Sequence, residues 1–285
     1  MNKEFYKKNI EAAAGRLIGM GQALIDEGQR LMRETKHVTV SVITRFYNDE
    51  MIAPYFLEHY SWADEIIVLL SNDTTDRSRE IIARYPHARA EAYALPGGVF
   101  NCREASGVMQ RKYEETWSDW IICVDADELV FPKSNAAPRE ILAHADGNLI
   151  YADMWQVYRH REEMDLDPTL KAVWLRRHGD PNRTKGDNAR YCKPIIARPG
   201  LGIKWGVGFH NYEPNEKIKV SATRFDGAHW RMADPALALA RRLRGRRENV
   251  AKENILKGWS ADNHDVTAEK ILAECDKHLD DPQLF

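Results

Sequence analysis

The stretch that decides the expected fold is WSDWIICVDADE, residues 117–128. Its apolar run, residues 120–124, has the length and composition of a strand that is buried on both faces. Three acidic residues, Asp125, Asp127 and Glu128, come directly after this run. Because ligands bind beyond the carboxyl ends of the strands in parallel sheets, the pattern predicts an α/β protein with acidic groups at its ligand-binding edge.

Upstream of this stretch, apolar segments alternate with segments of helical pattern. Further buried strands are predicted at residues 38–43, 65–70 and 90–95, and helices at residues 50–60, 78–85 and 103–117. This alternation indicates βαβ units, and therefore a three-layer α/β/α fold with a mostly parallel central sheet and added C-terminal helices. Polar clusters at residues 44–45 and 71–76 follow the first two strands, so we expect them to lie beside the acidic cluster.

Four segments are expected along the chain. Residues 1–36 form an N-terminal helical arm, residues 37–150 the strand-and-helix half, residues 151–230 a substrate-shaping region, and residues 231–285 a C-terminal helical segment. In the third segment the alternation fades, and aromatic residues mix with charges and turns. The basic residues within 241–247 are open to two interpretations, a solvated helix face or a group that binds a diphosphate or an anionic lipid.

The composition is that of an ordinary soluble globular protein. Of the 285 residues, 44% are hydrophobic and 29% charged, and the net charge of −2 provides no global field that would attract nucleic acid. The four cysteines lack the spacing of a zinc site or a disulfide framework, so free thiols are expected. A signal peptide and an apolar run of the ~20 residues needed to span a bilayer are both missing, which favours a cytoplasmic location, with peripheral membrane contact left open.

The paired aspartates point to a divalent cation. If the strand continued through them, Asp125 and Asp127 would share one face, with Cα atoms roughly 6.5–7 Å apart. Two carboxylates at that spacing can converge on one hard cation and leave positions for water and phosphate oxygens. An ordinary acidic turn is the alternative, but carboxylates at the end of a buried strand would repel each other without a cation or donors.

Three motifs in the first half of the chain resemble the nucleotide-binding domain of GT-A glycosyltransferases, in the family-2-like group. The first is Val40-Ser41-Val42-Ile43 followed by Tyr47-Asn48-Asp49-Glu50; the second is Glu65-Ile66-Ile67-Val68 followed by Asn72-Asp73-Thr74-Thr75-Asp76. The third is the stretch at residues 117–128, which matches that group's tryptophan, apolar strand and Asp-x-Asp-Glu. The motifs cover about a third of the chain. Ser71 departs from the pattern, since the group commonly has an aspartate there that binds the base.

The resemblance implies a metal-dependent transfer of a sugar from a nucleotide-diphosphate sugar, most simply a UDP-sugar, to a saccharide or lipid-linked acceptor. It implies that the activity is of the hexosyltransferase type. It places the nucleotide beside Thr44, Arg45, Asn72, Asp73 and Asp125. Asp125 and Asp127 would bind Mn²⁺ or Mg²⁺, which would neutralise the leaving diphosphate.

Residues outside the motifs are expected to complete the site. Members of this group often recruit a histidine from the C-terminal half as a metal ligand, and glycine-flanked His210 is the first candidate, with His229 as the alternative. An inverting enzyme needs a carboxylate base beside the acceptor hydroxyl. Asp153 is the first candidate for it, ahead of Glu162, Glu163 and Asp165. Glu128 is expected to support the metal site from behind.

Other classes of protein fit the sequence less well. A haloacid-dehalogenase-type phosphatase would have Thr or Val where Leu129 stands, and a nucleotidyltransferase would have a glycine-rich loop after the first strand. The remaining alternative is a catalytically silent GT-A-like domain that binds nucleotide and metal without transferring a sugar.

Overall fold

The computed structural model describes residues 15, 17–25, 37–167, 170, 172–180, 192–243, 250–259 and 267–285. The chain forms two compact units, Met1–Val38 and Thr39–Phe285. In the first unit, residues 17–25 are helical, and apart from residue 15 the rest of the predicted arm lies outside the described residues. This helix exposes its large apolar side chains, which are Leu17, Ile18, Met20, Leu24 and Ile25.

The second unit contains both strands and helices. Its strands are β1 (Val40–Phe46), β2 (Glu65–Ser71), β3 (Ala88–Tyr93), β4 (Trp120–Cys123), β5 (Glu128–Pro132), β6 (Leu149–Tyr158), β7 (His178–Gly179), β8 (Cys192–Ala197), β9 (Lys204–Trp205), β10 (Tyr212–Glu213) and β11 (Val220–Met232). Its helices are α1 (Ala53–His59), α2 (Ser78–Ile82), α3 (Cys102–Glu115), α4 (Pro138–His144), α5 (Ala172–Leu175), α6 (Pro235–Leu243), α7 (Lys252–Lys257) and α8 (Ala268–Lys277). Every strand and helix predicted between residues 37 and 125 is present, with ends within three residues of the expected ones.

One large sheet organises the second unit. Its strand order is β3-β2-β1-β4-β8-β6-β11-β5, with β7 added beside β6. Strands β3, β2, β1 and β4 are mutually parallel, β8 is antiparallel to both of its neighbours, and β6 and β11 are parallel to each other. Only β5, β7 and β8 therefore run against the rest of this sheet in the described part of the chain, which confirms the mostly parallel sheet. Strands β9 and β10 form a separate antiparallel pair.

Helices cover both faces of the sheet around β1. On one face, the rings of Phe46 and Phe56 from α1 lie 5.5 Å apart at an angle of 79°. On the other face, Arg45 Nε lies 3.0 Å from the sulfur of Met109 in α3. Consecutive side chains of a strand point to opposite faces, and so β1 is covered by helices on both sides. This confirms the three-layer α/β/α class, whose fully buried strands require apolar runs such as residues 120–124.

Most strands of the region 151–230 belong to the same sheet. Its strands β6, β8 and β11 lie between β4 and β5, although residues 128–132 come directly after β4 in sequence. The sequence pattern predicts no strands here, because charged residues such as Asp153, Lys193 and Asp226 interrupt the apolar pattern of these strands. Their pairing is between segments far apart in the chain, so it leaves no short periodic signal.

Two expectations drawn from composition can be compared with the structure. All four cysteines are free thiols, and burial raises the pKa of Cys275 to about 11. Within the described residues, the structure contains no helix that is both long enough and apolar enough to cross a bilayer.

Candidate functional site

The acidic tripeptide lies in a turn at the end of β4. The backbone N–H of Glu128 donates to the carbonyl of Asp125 at 3.0 Å, so residues 125–128 reverse direction instead of continuing the strand. The expectation that Asp125 and Asp127 lie in an extended segment is therefore wrong. The backbone carbonyl of Asp127 accepts a 2.7 Å hydrogen bond from the N–H of Trp230 in β11. The turn is thus tied to a strand about a hundred residues later in the chain.

Asp125 pairs with a guanidinium from the neighbouring strand. Arg45 lies near the carboxyl end of β1, which runs parallel to β4, and its NH2 is 2.7 Å from Asp125 Oδ1. Burial opposes ionisation of Asp125, but the charges of Arg45 and Lys193 outweigh it and lower its pKa. The structure thus brings together two residues that were predicted to lie at the nucleotide.

Asp127 pairs with a cation from the C-terminal half. Arg241 in α6 places NH1 2.5 Å from Asp127 Oδ2, and the Nε2 atom of His229 lies 3.5 Å from the same oxygen. Burial opposes ionisation of Asp127, yet Arg241 and His229 hold its pKa well below the usual range. The Nε–H of Arg241 also donates to Asp49 Oδ1 at 2.9 Å. One guanidinium therefore joins the turn after β1 to the turn after β4.

Glu128 holds the backbone of the acidic turn through its carboxylate. Its Oε2 accepts a 3.1 Å hydrogen bond from the N–H of Asp125, and its Oε1 pairs with Lys193 Nζ from β8. The two side chains of this pair are 3% and 7% exposed. Burial raises the pKa of Glu128 despite the opposing charge of Lys193. Glu128 therefore supports Asp125 through the backbone, and its support of a bound metal stays a prediction.

The loops after β1 and β2 are joined by side chains of the predicted motifs. Asn48 has a positive φ of 52°, and its Oδ1 accepts hydrogen bonds from the backbone N–H groups of Thr75 at 2.7 Å and Asp76 at 3.3 Å. In return, Asp76 Oδ2 accepts the N–H of Glu50 at 2.8 Å. An asparagine tolerates this left-handed backbone better than most residues. The two loops therefore form one polar surface at the carboxyl ends of β1 and β2.

The other predicted nucleotide-binding residues differ in exposure. Asn72 and Asp73 are exposed on this polar surface, where their side chains are available to a ligand. Thr44 is fully buried, and its hydroxyl has no hydrogen-bond partner within the described residues. It alternates with Arg45 along β1 and so points to the opposite face of the sheet. Only the backbone of Thr44 can therefore take the predicted position.

The predicted metal ligands do not converge on one position. Within the described part of the chain, no three His, Cys, Asp or Glu side chains converge as a metal site, so the set Asp125, Asp127 and His210 is not assembled. His210 follows the 3-10 turn Val207–Phe209, which is held to α3 by a 3.1 Å hydrogen bond from the Gly208 N–H to Ser106 Oγ. His229, the alternative ligand, is the histidine that lies against Asp127.

Asp153 is held by two basic side chains and a thiol. Its carboxylate accepts from Lys133 Nζ at 2.7 Å, from Arg224 Nε at 3.0 Å and from Cys192 Sγ at 3.3 Å. Burial opposes ionisation, but these contacts lower the pKa of Asp153. A carboxylate with a lowered pKa is a weak base, so Asp153 would act as a base only if the acceptor displaced these partners. The choice of base stays a prediction.

The other carboxylates considered as bases also have partners. Glu163 Oε1 lies 2.7 Å from His178 Nδ1, and Asp165 Oδ1 lies 2.7 Å from Arg159 NH2. Glu162 is exposed. None of these contacts distinguishes one of them as a base.

Three charged residues that contact the acidic turn or its partners were not predicted as site residues from the sequence, namely Asp49, Lys193 and Arg241. A signal existed for Lys193, which interrupts the apolar run of β8, since a lysine within a buried strand requires a charged partner. Arg241 was noted only as part of a basic stretch. Nothing local distinguishes it from its neighbours, because its partner Asp49 is 192 positions away.

Comparison with protein-family models gives no match, and comparison with curated proteins gives none either.

Several solved structures are distantly similar to the chain. S. aureus TarS 1-349 in complex with UDP-GlcNAc is 15% identical with a TM-score of 0.38, covering 84% of this chain and 72% of that chain. The chain spans 43% of the longer S. aureus TarS structure. Glucosyl-3-phosphoglycerate synthase from Mycobacterium tuberculosis, in complex with Mn²⁺, UDP and glucosyl-3-phosphoglycerate, is 16% identical with a TM-score of 0.32, covering 60% and 61%. A 4-diphosphocytidyl-2C-methyl-D-erythritol synthase is 12% identical with a TM-score of 0.30, covering 57% and 76%. These similarities are low, so the function has to rest on the residues of the chain itself.

Proposed function

We propose that the chain is a metal-dependent glycosyltransferase that takes a sugar from a nucleotide-diphosphate sugar, of which a UDP-sugar is the first candidate. The observation that carries the proposal is the joining of three strand-end loops into one charged surface. Asn48 connects the loops after β1 and β2, while Arg45 and Arg241 connect the first of these to the acidic turn after β4. Parallel sheets bind their ligands at this edge.

The charges of this surface suit a diphosphate together with a divalent cation. Asp49, Asp125 and Asp127 provide carboxylate oxygens, and Arg45 and Arg241 provide guanidinium groups that can bind phosphate oxygens. A site for nucleotide alone would need only the basic groups. A site for a cation alone would need only the carboxylates, and the two guanidinium groups would compete with the cation for them. Both charge types at one sheet edge favour a ligand that contains metal and diphosphate.

The nucleoside would lie over the exposed part of this surface. Asn72 and Asp73, which are exposed, would contact the base, and Arg45 and Asp125 would border the ribose and the first phosphate. Because Ser71 stands where the resembled group has an aspartate, the base would be recognised by backbone groups and by Asn72 and Asp73. Uridine is proposed on the resemblance alone.

The residues fit a divalent cation in their chemistry and in part of their geometry. Asp127 Oδ2 and His229 Nε2 are 3.5 Å apart, close enough for one cation to contact both, and the lowered pKa values of Asp125 and Asp127 keep both carboxylates ionised. Carboxylate and imidazole ligands are compatible with Mn²⁺ and Mg²⁺. When bound, the cation would act as a Lewis acid toward the leaving diphosphate. His229 therefore replaces His210 as the proposed histidine ligand.

Thermal unfolding with UDP, GDP and CDP, each with and without Mn²⁺, tests the proposal. Ligand at about 100 times its dissociation constant stabilises the native state by about 2.7 kcal/mol, which corresponds to a rise of about 5 °C or more for a chain of this size. We expect that rise with UDP only when Mn²⁺ is present. Asp127→Asn should abolish it, whereas Asp165→Asn, the same change at an exposed carboxylate, should preserve it.

The result that would overturn the proposal is the lack of a metal-dependent shift with all three nucleotides. Survival of the shift in Asp127→Asn would place the metal elsewhere. Transfer is separated from silent binding by measuring UDP release from UDP-sugars. Binding without any release of UDP would identify the protein as the catalytically silent alternative.

A further inference from the structure

We infer that Arg241 occupies the place of the divalent cation in the free protein and moves from Asp127 to the donor diphosphate when metal and nucleotide bind. This inference rests on the proposed function, since it concerns the same metal and the same diphosphate. It assigns to Arg241, in helix α6, a binding role that the motifs of the first half do not contain.

The position of the guanidinium is the first argument. Arg241 NH1 lies 2.5 Å from Asp127 Oδ2, and His229 Nε2 lies 3.5 Å from that same oxygen. A cation bound by Asp127 and His229 would have to approach the oxygen that the guanidinium now contacts. A guanidinium and a divalent cation cannot share this position, because the two positive charges would be only a few ångströms apart. Metal binding therefore requires NH1 of Arg241 to leave.

The second argument is that Arg241 can release Asp127 without leaving the site. Its Nε–H is bonded separately to Asp49 Oδ1 at 2.9 Å, and Asp49 is 7% exposed and further held by the backbone N–H of Tyr47 at 2.9 Å. A guanidinium carries five N–H donors in a rigid fork, so one side can stay on Asp49 while the other changes partner. Asp49 therefore acts as a fixed anchor for the movement.

The third argument is that the helix that carries Arg241 is itself held in place. Asp234 accepts the N–H of Ala236 at 2.9 Å at the start of α6, and its other carboxylate oxygen accepts from Arg176 NH2 at 3.1 Å. Arg176 is fully buried and also donates through Nε to the carbonyl of Ala233 at 2.7 Å. Because the base of the helix is fixed, exchange of partners is confined to the side chain of Arg241.

The charges give the exchange a direction. In the free protein, the single positive charge of Arg241 is shared by Asp49 and Asp127. A divalent cation on Asp127 repels the guanidinium, and the diphosphate that arrives with it offers new oxygens within the same small region. Arg241 thus competes with the metal when no nucleotide is bound and cooperates with it when nucleotide is bound.

A Mn²⁺ titration followed by electron paramagnetic resonance of the free ion tests this without any measurement of activity. We expect Arg241→Gln to bind Mn²⁺ more tightly than the wild type, on the order of tenfold, which is within the usual range for coupling between binding events. With saturating Mn²⁺, the same variant should bind UDP on the order of tenfold more weakly. Arg242→Gln is the matched control, since it removes the same charge from the next residue of α6, whose NH1 contacts Met232 Sδ at 3.2 Å. It should change both constants less than about twofold.

The outcomes separate this inference from the proposed function. If the wild type binds Mn²⁺ and Arg241→Gln binds it no more tightly, the exchange is overturned while the metal site stands. If Arg241→Gln weakens Mn²⁺ and UDP binding together, the guanidinium is only structural, and the exchange is again overturned. If neither protein binds Mn²⁺, both proposals fail. Binding of Mn²⁺ by the variant alone would support the exchange.

A second variant protects the test against misfolding. Arg241→Gln removes the guanidinium that pairs with both Asp49 and Asp127, so the fold of this variant is verified by far-ultraviolet circular dichroism. Arg241→Lys keeps the charge but lacks the fork that reaches both carboxylates. Its affinity for Mn²⁺ should lie between those of the wild type and Arg241→Gln, and affinity equal to the wild type in both variants would contradict the exchange.

Discussion

Replacing Lys193 with methionine should destabilise the protein strongly through the charge that it leaves behind. The Lys193 and Glu128 side chains are 7% and 3% exposed, and each is the other's direct charged partner. Methionine resembles lysine in length and fills the same space, so no large cavity forms. Removal of one partner of a buried ion pair typically costs about 3–5 kcal/mol, because the other charge stays buried and uncompensated. We expect a loss of that size in the free energy of unfolding at pH 7.

The loss should depend on pH in a defined direction. Burial already raises the pKa of Glu128, and Lys193 is the first charge that opposes the rise. Without Lys193 the folded-state pKa rises further above the unfolded value of about 4.3, so the folded variant binds a proton that the unfolded chain releases. Stability then falls as the pH rises through this interval, by at most about 1.4 kcal/mol per pH unit. Relative to the wild type, the variant should therefore recover up to about 2.7 kcal/mol between pH 7 and pH 5.

Urea unfolding followed by tryptophan fluorescence at pH 5 and pH 7 measures these quantities. In the Lys193→Met background, Glu128→Gln removes the buried charge and should restore about 2 kcal/mol at pH 7. Lys217→Met, at an exposed lysine, is the control and should change stability by less than about 0.5 kcal/mol. A loss of under about 1 kcal/mol at pH 7, or a loss that is equal at both pH values, would refute the reasoning.

Two further predictions concern the pairing of β7 with β6 and the role of Asp153. Gly179→Ala should destabilise the protein by roughly 2 kcal/mol or more in the same urea assay, because the added Cβ would lie 2.1 Å from a backbone carbonyl oxygen of β6. The control is Gly107→Ala in α3, which should be neutral or stabilising because the nearest atom to its Cβ is 3.6 Å away. Equal effects of the two substitutions on the free energy of unfolding would contradict this prediction. Asp153→Asn should abolish transfer of the sugar to the acceptor, and with it the release of UDP, while preserving the Mn²⁺-dependent thermal shift with UDP. Full transfer by the folded variant would remove Asp153 as the base.

The first half of the fold could be predicted because its signals are local. The runs at residues 65–70 and 120–124 are apolar enough to indicate strands that are buried on both faces, and a helical pattern stands between them. Since parallel strands end at one edge, the polar residues that follow them could be placed together from their positions in the sequence. The structure confirms this placement for Arg45 and Asp125.

The turn at the acidic tripeptide could not be predicted in the same way. Asp125 and Asp127 fit an extended segment as well as a turn, and the choice is made by the hydrogen bond from Trp230 and by the pairing of β5 with β11. Both contacts join segments about a hundred residues apart. The sequence pattern near Asp127 contains no information about either.

The sequence by itself determined the α/β class, the strands that lead to the site and the three acidic residues at its centre, because hydrophobic periodicity and strand-end polarity act over a few neighbouring residues. Only the tertiary structure decided which charge faces which. Asp127 acquires Arg241 and His229, and Glu128 acquires Lys193, through strands and a helix that come from the distant half of the chain. The physical reason is that an ion pair is selected by distance in space and by burial, and neither can be read from positions along the sequence.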